Sequence, residues 1–278
     1  MKFTKMHGLG NDFIMVDGFR EQPEEDTLAD LARRACDRHF GIGADGVILA
    51  LPSETADFRM RLITADGSEA EHCGNGIRCV AKLVHDLGYT RGSEITVETV
   101  GRINGLRLFT HEGKVSSVSV DMGEPLFERR ALPMLGEETS EAVNEPLDVD
   151  GQTVEVTCVS MGNPHAVHFT EDLDAFPFEQ IGPRVEGHSM FPRRVNAEFI
   201  QVLGPAELRM RVWERGAGET LACGTGACAS LVAAARTERS GRRATVHLRG
   251  GDLHIQWDDD NHVYMTGPAT TVFEGEYA

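Results

Sequence analysis

The chain alternates short stretches of two different periods. Asp57-Phe58-Arg59-Met60-Arg61-Leu62 places polar and apolar side chains in strict alternation, the pattern of a half-buried strand. Ile95 to Val100, Val115 to Val120, Glu207 to Trp213 and Leu253 to Trp257 read the same way, and Gly, Asp and Asn separate them. Many short strands with such punctuation predict curved, mostly antiparallel sheets. Three segments carry helical spacing instead. Thr27 to His39 places Leu28, Leu31, Ala32 and Ala35 on one face, with Thr27 as N-cap and Gly41 just past the end. Ile77 to Leu87 is followed by Gly88 at a C′ position. Gly226 to Arg236 is small or apolar nearly all round, which predicts a buried helix inside a barrel-like sheet. The acidic stretch Gly136 to Asp150 has no clear period and reads as a loop.

The pattern occurs twice. Gly10-Asn11 precedes Cys73-Gly74-Asn75-Gly76, and Gly162-Asn163 precedes Cys223-Gly224-Thr225-Gly226 at the same interval to within two residues. Each Cys-Gly-x-Gly opens one of the apolar helices, and a glutamate, Glu69 or Glu219, stands four residues before each cysteine. A duplication of this length predicts two similar domains, residues 1–120 and 121–267, with 268–278 returning to the first. Ligand binding is expected between them, with one cysteine on each wall.

Composition narrows the chemistry. At 278 residues the chain has room for two modest domains. A formal charge of −17 repels phosphate backbones and argues against a nucleic-acid partner. The N-terminus has no signal-peptide pattern and no stretch is long and apolar enough for a membrane helix, so no membrane role and a cytoplasmic location are expected. The six cysteines lack paired C-x-x-C spacing, so no zinc or other metal site is expected. They are left as core residues or reactive thiols.

Inverting a carbon stereocentre requires a proton removed from one face and another delivered to the opposite face. Two thiols at matched positions of two domains can act as base and acid and then exchange roles. A cysteine at a helix start, among glycines, meets free backbone N–H groups and the positive end of the helix dipole. That setting favours a thiolate and binds a carboxylate. Two other readings fit the same residues. One is a cysteine nucleophile, Cys73 or Cys223, paired with His165, which needs only one of the copies. The other is an amino-acid-binding protein without turnover.

The phrases Met6-His7-Gly8-Leu9-Gly10-Asn11-Asp12-Phe13, Gly41-Ile42-Gly43-Ala44-Asp45, Ala65-Asp66-Gly67-Ser68-Glu69, Cys73 to Cys79, Val159 to His165, Arg194-Val195-Asn196-Ala197 and Glu214 to Gly226 run almost end to end. In them the chain closely resembles the diaminopimelate epimerases of lysine and peptidoglycan precursor synthesis. The resemblance implies an α+β fold of two pseudo-symmetric domains, each a curved, mostly antiparallel sheet wrapped around a central helix, and a homodimer. It implies interconversion of LL- and meso-diaminopimelate without pyridoxal phosphate or any other cofactor. It assigns Cys73 and Cys223 as the acid–base pair, with His165 and Glu214 tuning the thiols. Gly74, Asn75, Gly224 and Thr225 would hold the reacting carboxylate. Asn11, Asn163, Asn196, Glu214 and Arg215 would hold the rest of the substrate. Two positions depart from the family pattern: Thr64 stands where an asparagine is usual, and Gly46 where some members carry glutamine. They leave open a related racemase acting on another amino acid, such as histidine.

Overall fold

A computed structural model describes residues 1–21, 23–70 and 73–278. The chain forms two compact units, Met1–Asp121 with Thr266–Ala278, and Met122–Met265.

The first unit begins with a hairpin, β1 (Lys2–Gly8) and β2 (Asn11–Asp17), joined at Gly10 in the left-handed region (φ 89°). After α1 (Leu28–Ala35) come β3 (Gly46–Leu51), β4 (Phe58–Thr64) and the short β5 (Glu69–Ala70). Then follow α2 (Gly74–Asp86), β6 (Glu94–Thr99), β7 (Arg102–His111) and β8 (Lys114–Asp121). Two pairings are parallel, β2 with β3 and β4 with β6. Parallel neighbours need a crossover, and α1 and α2 are those crossovers. The other pairings given for this unit are antiparallel. The curved sheet wraps α2, whose residues Asn75 through His85 are all buried against it.

The second unit repeats this order. It contains β9 (Glu145–Val149), β10 (Gln152–Ser160), β11 (Pro164–Phe169), α3 (Phe178–Glu186), β12 (Asn196–Gly204), β13 (Glu207–Glu214) and β14 (Gly218–Glu219). Next come α4 (Gly224–Arg236), β15 (Arg243–Leu248), β16 (Gly251–Trp257) and β17 (Val263–Pro268), through which the chain passes back to the first unit. The last strand, β18 (Thr270–Glu276), pairs antiparallel with β1. Again β11–β12 and β13–β15 are parallel and enclose α3 and α4 as crossovers. The hairpin turn again uses a left-handed glycine, Gly162 (φ 92°).

Two sequence expectations are corrected. Gly136 to Asp150 is not wholly a loop. Leu147 and Val149 are buried, and Glu145–Val149 pairs antiparallel with β10. The surrounding acidic residues hid this short alternation. The first helix ends at Ala35 rather than His39, because Asp37 Oδ1 accepts the N–H groups of His39 and Phe40 and turns the chain. Thr27 occupies the N-cap position without a side-chain cap. Gly41 lies so close to Arg34 O that a Cβ there would sit 2.2 Å away. The C′ reading of Gly88 holds. It is left-handed (φ 85°), and the bonds Gly88 N–H to His85 O and Tyr89 N–H to Val84 O form a Schellman motif.

Candidate active site

Both Cys-Gly-x-Gly segments fold identically in local terms. Cys73 is extended (φ −150°, ψ 106°) and its Sγ accepts the N–H of Gly76 at 3.4 Å. Cys223 is extended (φ −124°, ψ 109°) and its Sγ accepts the N–H of Gly226 at 3.4 Å. Each cysteine therefore occupies the N-cap of a buried helix, where its sulfur satisfies one of the orphan donors and feels the positive helix end. The last residue of each segment must be glycine for a packing reason. A Cβ on Gly76 would lie 2.6 Å from Ile48 Cδ1, and one on Gly226 would lie 2.7 Å from Glu198 Oε1.

In the first unit Asn11 anchors the sulfur. Its Oδ1 accepts from Cys73 Sγ at 3.6 Å and from Asn75 Nδ2 at 3.2 Å, and its Nδ2 donates to Asp45 Oδ2 at 2.6 Å. Arg78, completely buried one turn into α2, donates to Asn75 Oδ1, Gly74 O and Pro268 O. This fixes the amide of Asn75 so that its NH₂ faces Asn11. Asp45 is held in turn by Arg38, which also bonds Asp12. Burial works against the Asp12 carboxylate, but hydrogen bonds from Arg38 and Lys5 outweigh it and hold its pKa below the ordinary value. Sequence reasoning missed Arg78 and Asp45. Their signal was an arginine on the helix side facing the sheet and an aspartate inside the matching phrase.

In the second unit the sulfur is more deeply buried, with Cys223 at 6% exposure. Thr225 Oγ1 lies 3.5 Å from Sγ and accepts from Asn163 Nδ2 at 3.3 Å. Asn163 Oδ1 meets His165 Nε2 at 2.9 Å, and His165 Nδ1 meets Glu198 Oε1 at 2.6 Å. Glu214 accepts hydrogen bonds from Thr220 Oγ1 and Cys223. Burial raises the Glu214 carboxyl above its ordinary pKa despite those bonds. Burial also pushes the Cys223 thiol well above its usual value, and the carboxyls of Glu214 and Glu198 add to it. Asn196 is tied to the backbone, donating to Pro164 O at 3.0 Å and accepting from Arg215 N–H at 2.9 Å. The Arg215 side chain is exposed and makes no ion pair among the described residues.

Thus Cys73, Asn11, Gly74 and Asn75 come together at the start of α2. Cys223, Gly224, Thr225, Asn163, His165 and Glu214 come together at the start of α4, and Asn196 and Arg215 are joined beside Glu214. The two departures from the family pattern face each other: Gly46 pairs with Thr64 across β3 and β4. A Cβ at Gly46 would lie 2.7 Å from Leu62 Cδ1 and 2.8 Å from Ile63 O, so a larger residue there needs a shifted strand. The Thr64 hydroxyl is spent in its own turn, on Asp66 and Ser68.

Comparison with known proteins places this architecture. The fold matches a phenazine biosynthesis protein of the PhzF family from Bacillus anthracis, with TM-score 0.72 at 18% identity over 100% of this chain and 99% of that one. It also matches a probable proline racemase from Agrobacterium radiobacter, with TM-score 0.70 at 15% identity over 100% and 92%. In sequence, the chain is 58% identical over 278 residues to the diaminopimelate epimerase of Moorella thermoacetica, covering 100% of this chain and 99% of that protein. It is 56% identical over 277 residues to that of Pelotomaculum thermopropionicum, at 100% and 99% coverage. The diaminopimelate epimerase family model matches residues 3–128 and 157–272. The chain belongs to the diaminopimelate epimerase family.

Proposed function

We propose that the protein interconverts LL- and meso-2,6-diaminopimelate by a two-base mechanism in which Cys73 and Cys223 alternate as thiolate base and thiol acid. The reaction rests on family membership and on full-length relatives of that name. The relatives give no support to the alternative of a histidine racemase, despite Thr64. The observation that carries the mechanism is the matched pair of cysteine N-caps on α2 and α4. One thiolate takes the α-proton, and the other thiol supplies a proton to the opposite face. The free N–H groups of Gly74, Asn75, Gly224 and Thr225 receive the α-carboxylate as charge develops on it in the transition state. Glu214, a carboxylate beside Cys223, receives the reacting ammonium group. Asn11, Asn163 and Asn196 position the substrate, and the exposed Arg215 guanidinium grips the distal carboxylate. His165 sets the hydrogen-bonding state of Asn163 and so of the thiol. We assign no cofactor to this chemistry.

We also read the protein as a cytoplasmic homodimer. In support, Cys36, Cys79 and Cys158 are buried thiols rather than disulfides. Exposed apolar side chains on β7 and β18 of the first unit, Ile103, Phe109, Val272 and Phe273, offer a surface for a second copy. Among the described residues no helix is long and apolar enough to cross a membrane.

The test is incubation of the reduced protein with LL-diaminopimelate, followed by chiral separation, with L-histidine in parallel. Formation of the meso isomer alone supports the assignment. Racemisation of histidine without turnover of diaminopimelate overturns the substrate but keeps the chemistry.

A further inference from the structure

Glu198 is completely buried in β12, and nothing in the reaction above requires it. A carboxylate taken out of water is strongly unfavourable unless a partner compensates it. Glu198 Oε1 lies 2.6 Å from His165 Nδ1, while its Oε2 has no hydrogen-bond partner among the described residues. The carboxylate is therefore devoted to the imidazole.

The direction of the chain beyond His165 is set by Asn163. Because Asn163 Nδ2 donates to Thr225 Oγ1, its Oδ1 faces His165 Nε2, and that nitrogen must donate. Glu198 faces the other ring nitrogen, Nδ1, so the imidazole links the buried carboxyl to the Asn163 amide. Thr225, having accepted from Asn163, has its own hydroxyl hydrogen to give to Cys223 Sγ, 3.5 Å away. From the imidazole outward, every group donates toward the sulfur.

The other repeat lacks this device. By strand register, Phe13 stands where His165 does and Ile48 where Glu198 does. Ile48 and Glu198 lie under the equivalent glycines, Gly76 and Gly226. The ionic pair is thus specific to the Cys223 half of the duplication.

We propose that Glu198 is a positioning residue: it holds His165 so that the His165–Asn163–Thr225 chain donates into the Cys223 sulfur, and it thereby sets when this thiol can serve as base. The proposal rests on the assignment of Cys223 as a catalytic thiol. Among the described residues, the titratable groups around that sulfur are Glu214 from β13, Glu198 from β12 and His165 from β11. In Glu198→Gln the side-chain oxygen accepts from Nδ1 and holds the ring hydrogen there, so Nε2 is left as an acceptor. Asn163 then turns its NH₂ to Nε2, its carbonyl takes the Thr225 hydroxyl, and Thr225 is left to accept from the thiol. The thiolate loses its donor.

The test is the pH profile of iodoacetamide alkylation at Cys223 and Cys73, read by peptide mass spectrometry on the reduced full-length protein. This reads the thiol whether or not turnover occurs, so a failure of the proposal is separate from a failure of the epimerase assignment. In Glu198→Gln we expect the Cys223 midpoint to move up by about one pH unit, a roughly tenfold slower alkylation below it, with the Cys73 profile unmoved. In a His165→Gln background, Glu198→Gln should shift it no further. A downward move would mean that Glu198 acts only as a nearby negative charge, and no move would mean that it does not act on the thiol; either overturns the proposal. Glu198→Asp keeps the charge but withdraws it from His165, and should also raise the midpoint. If Glu198→Gln does not fold, that variant decides alone, since a simple charge effect predicts no change in it.

Discussion

The two halves of the chain share a backbone plan and differ in what lies beneath the active helix. At the start of α2 the buried charge is a cation, Arg78, one turn into the helix, and the residue under Gly76 is Ile48. At the start of α4 the buried ionisable groups are Glu198 under Gly226, paired with His165, and Glu214 beside the sulfur, and the position matching Arg78 is Cys228. The two N-caps are equivalent, and a few inward-facing residues give them different electrostatics. In the proposed two-thiol mechanism one thiol accepts a proton while the other gives one. Different buried partners beneath matched N-caps break the symmetry of the doubled site.

The largest effects should come from removing the thiols. Cys73→Ala and Cys223→Ala should each lower the epimerisation rate by about 10²–10⁴-fold, the range for loss of a general acid or base. Cys79→Ala and Cys228→Ala, buried further along the same two helices, should leave the rate within a few-fold. Equal losses in all four would point to helix packing rather than proton transfer.

Next come the helix starts. Gly76→Ala and Gly226→Ala place a methyl against Ile48 Cδ1 and Glu198 Oε1 respectively, and overpacking of this kind costs about 1–3 kcal/mol. Urea denaturation should show comparable destabilisation in both. Only Gly226→Ala should also disturb the Cys223 alkylation profile, because only there does the methyl strike an ionic group.

The buried thiols also make stability depend on pH. Burial raises the Cys36 thiol to about 11 and the Cys79 thiol to about 12, and raises those of Cys158 and Cys223 as well. Above pH 9 the unfolded chain releases these protons while the folded chain keeps them, so the unfolded state binds fewer protons and stability falls as pH rises. Each thiol should contribute a loss of up to about 1.4 kcal/mol per pH unit across that window. Chemical denaturation at several pH values should show the decline begin near pH 9, with a shallower slope in Cys79→Ala.

The smallest effect separates the helix C-termini. Both helices end in a Schellman motif, but α2 uses Gly88 at the left-handed position while α4 uses Glu238 (φ 58°). Glu238→Gly should stabilise the protein by up to about 1 kcal/mol, and Gly88→Ala should destabilise it by about the same amount. Opposite shifts in melting temperature check both.

Much of this was legible in the sequence because it rests on glycine, cysteine and period. The Cys-Gly-x-Gly pairs marked both N-caps, and the near-continuous apolar run from Gly226 marked a helix buried all round. What escaped notice was decided by tertiary context. The helix Phe178–Glu186 contains Gly182 and Pro183, residues that argue against a helix, yet it forms because Gly182 lets it press against Trp213, where a Cβ would come within 3.1 Å. Glu198 escaped because β12 is buried along Asn196–Ile200, so its sequence shows no alternation to mark an inward-facing charge. Its importance lies in a partner on a neighbouring strand.

The most direct test of two thiols sharing one proton transfer is early-time epimerisation in D₂O, starting separately from LL- and meso-diaminopimelate, with deuterium at the α-carbon measured in both product and recovered substrate. A thiol carries a single proton. The base returns the substrate's own hydrogen on reversal, while the acid delivers solvent deuterium on inversion. We predict nearly complete deuteration of the product and almost none in recovered substrate, in both directions. Product that retains the substrate's hydrogen would contradict the two-base account and require one group to serve both faces.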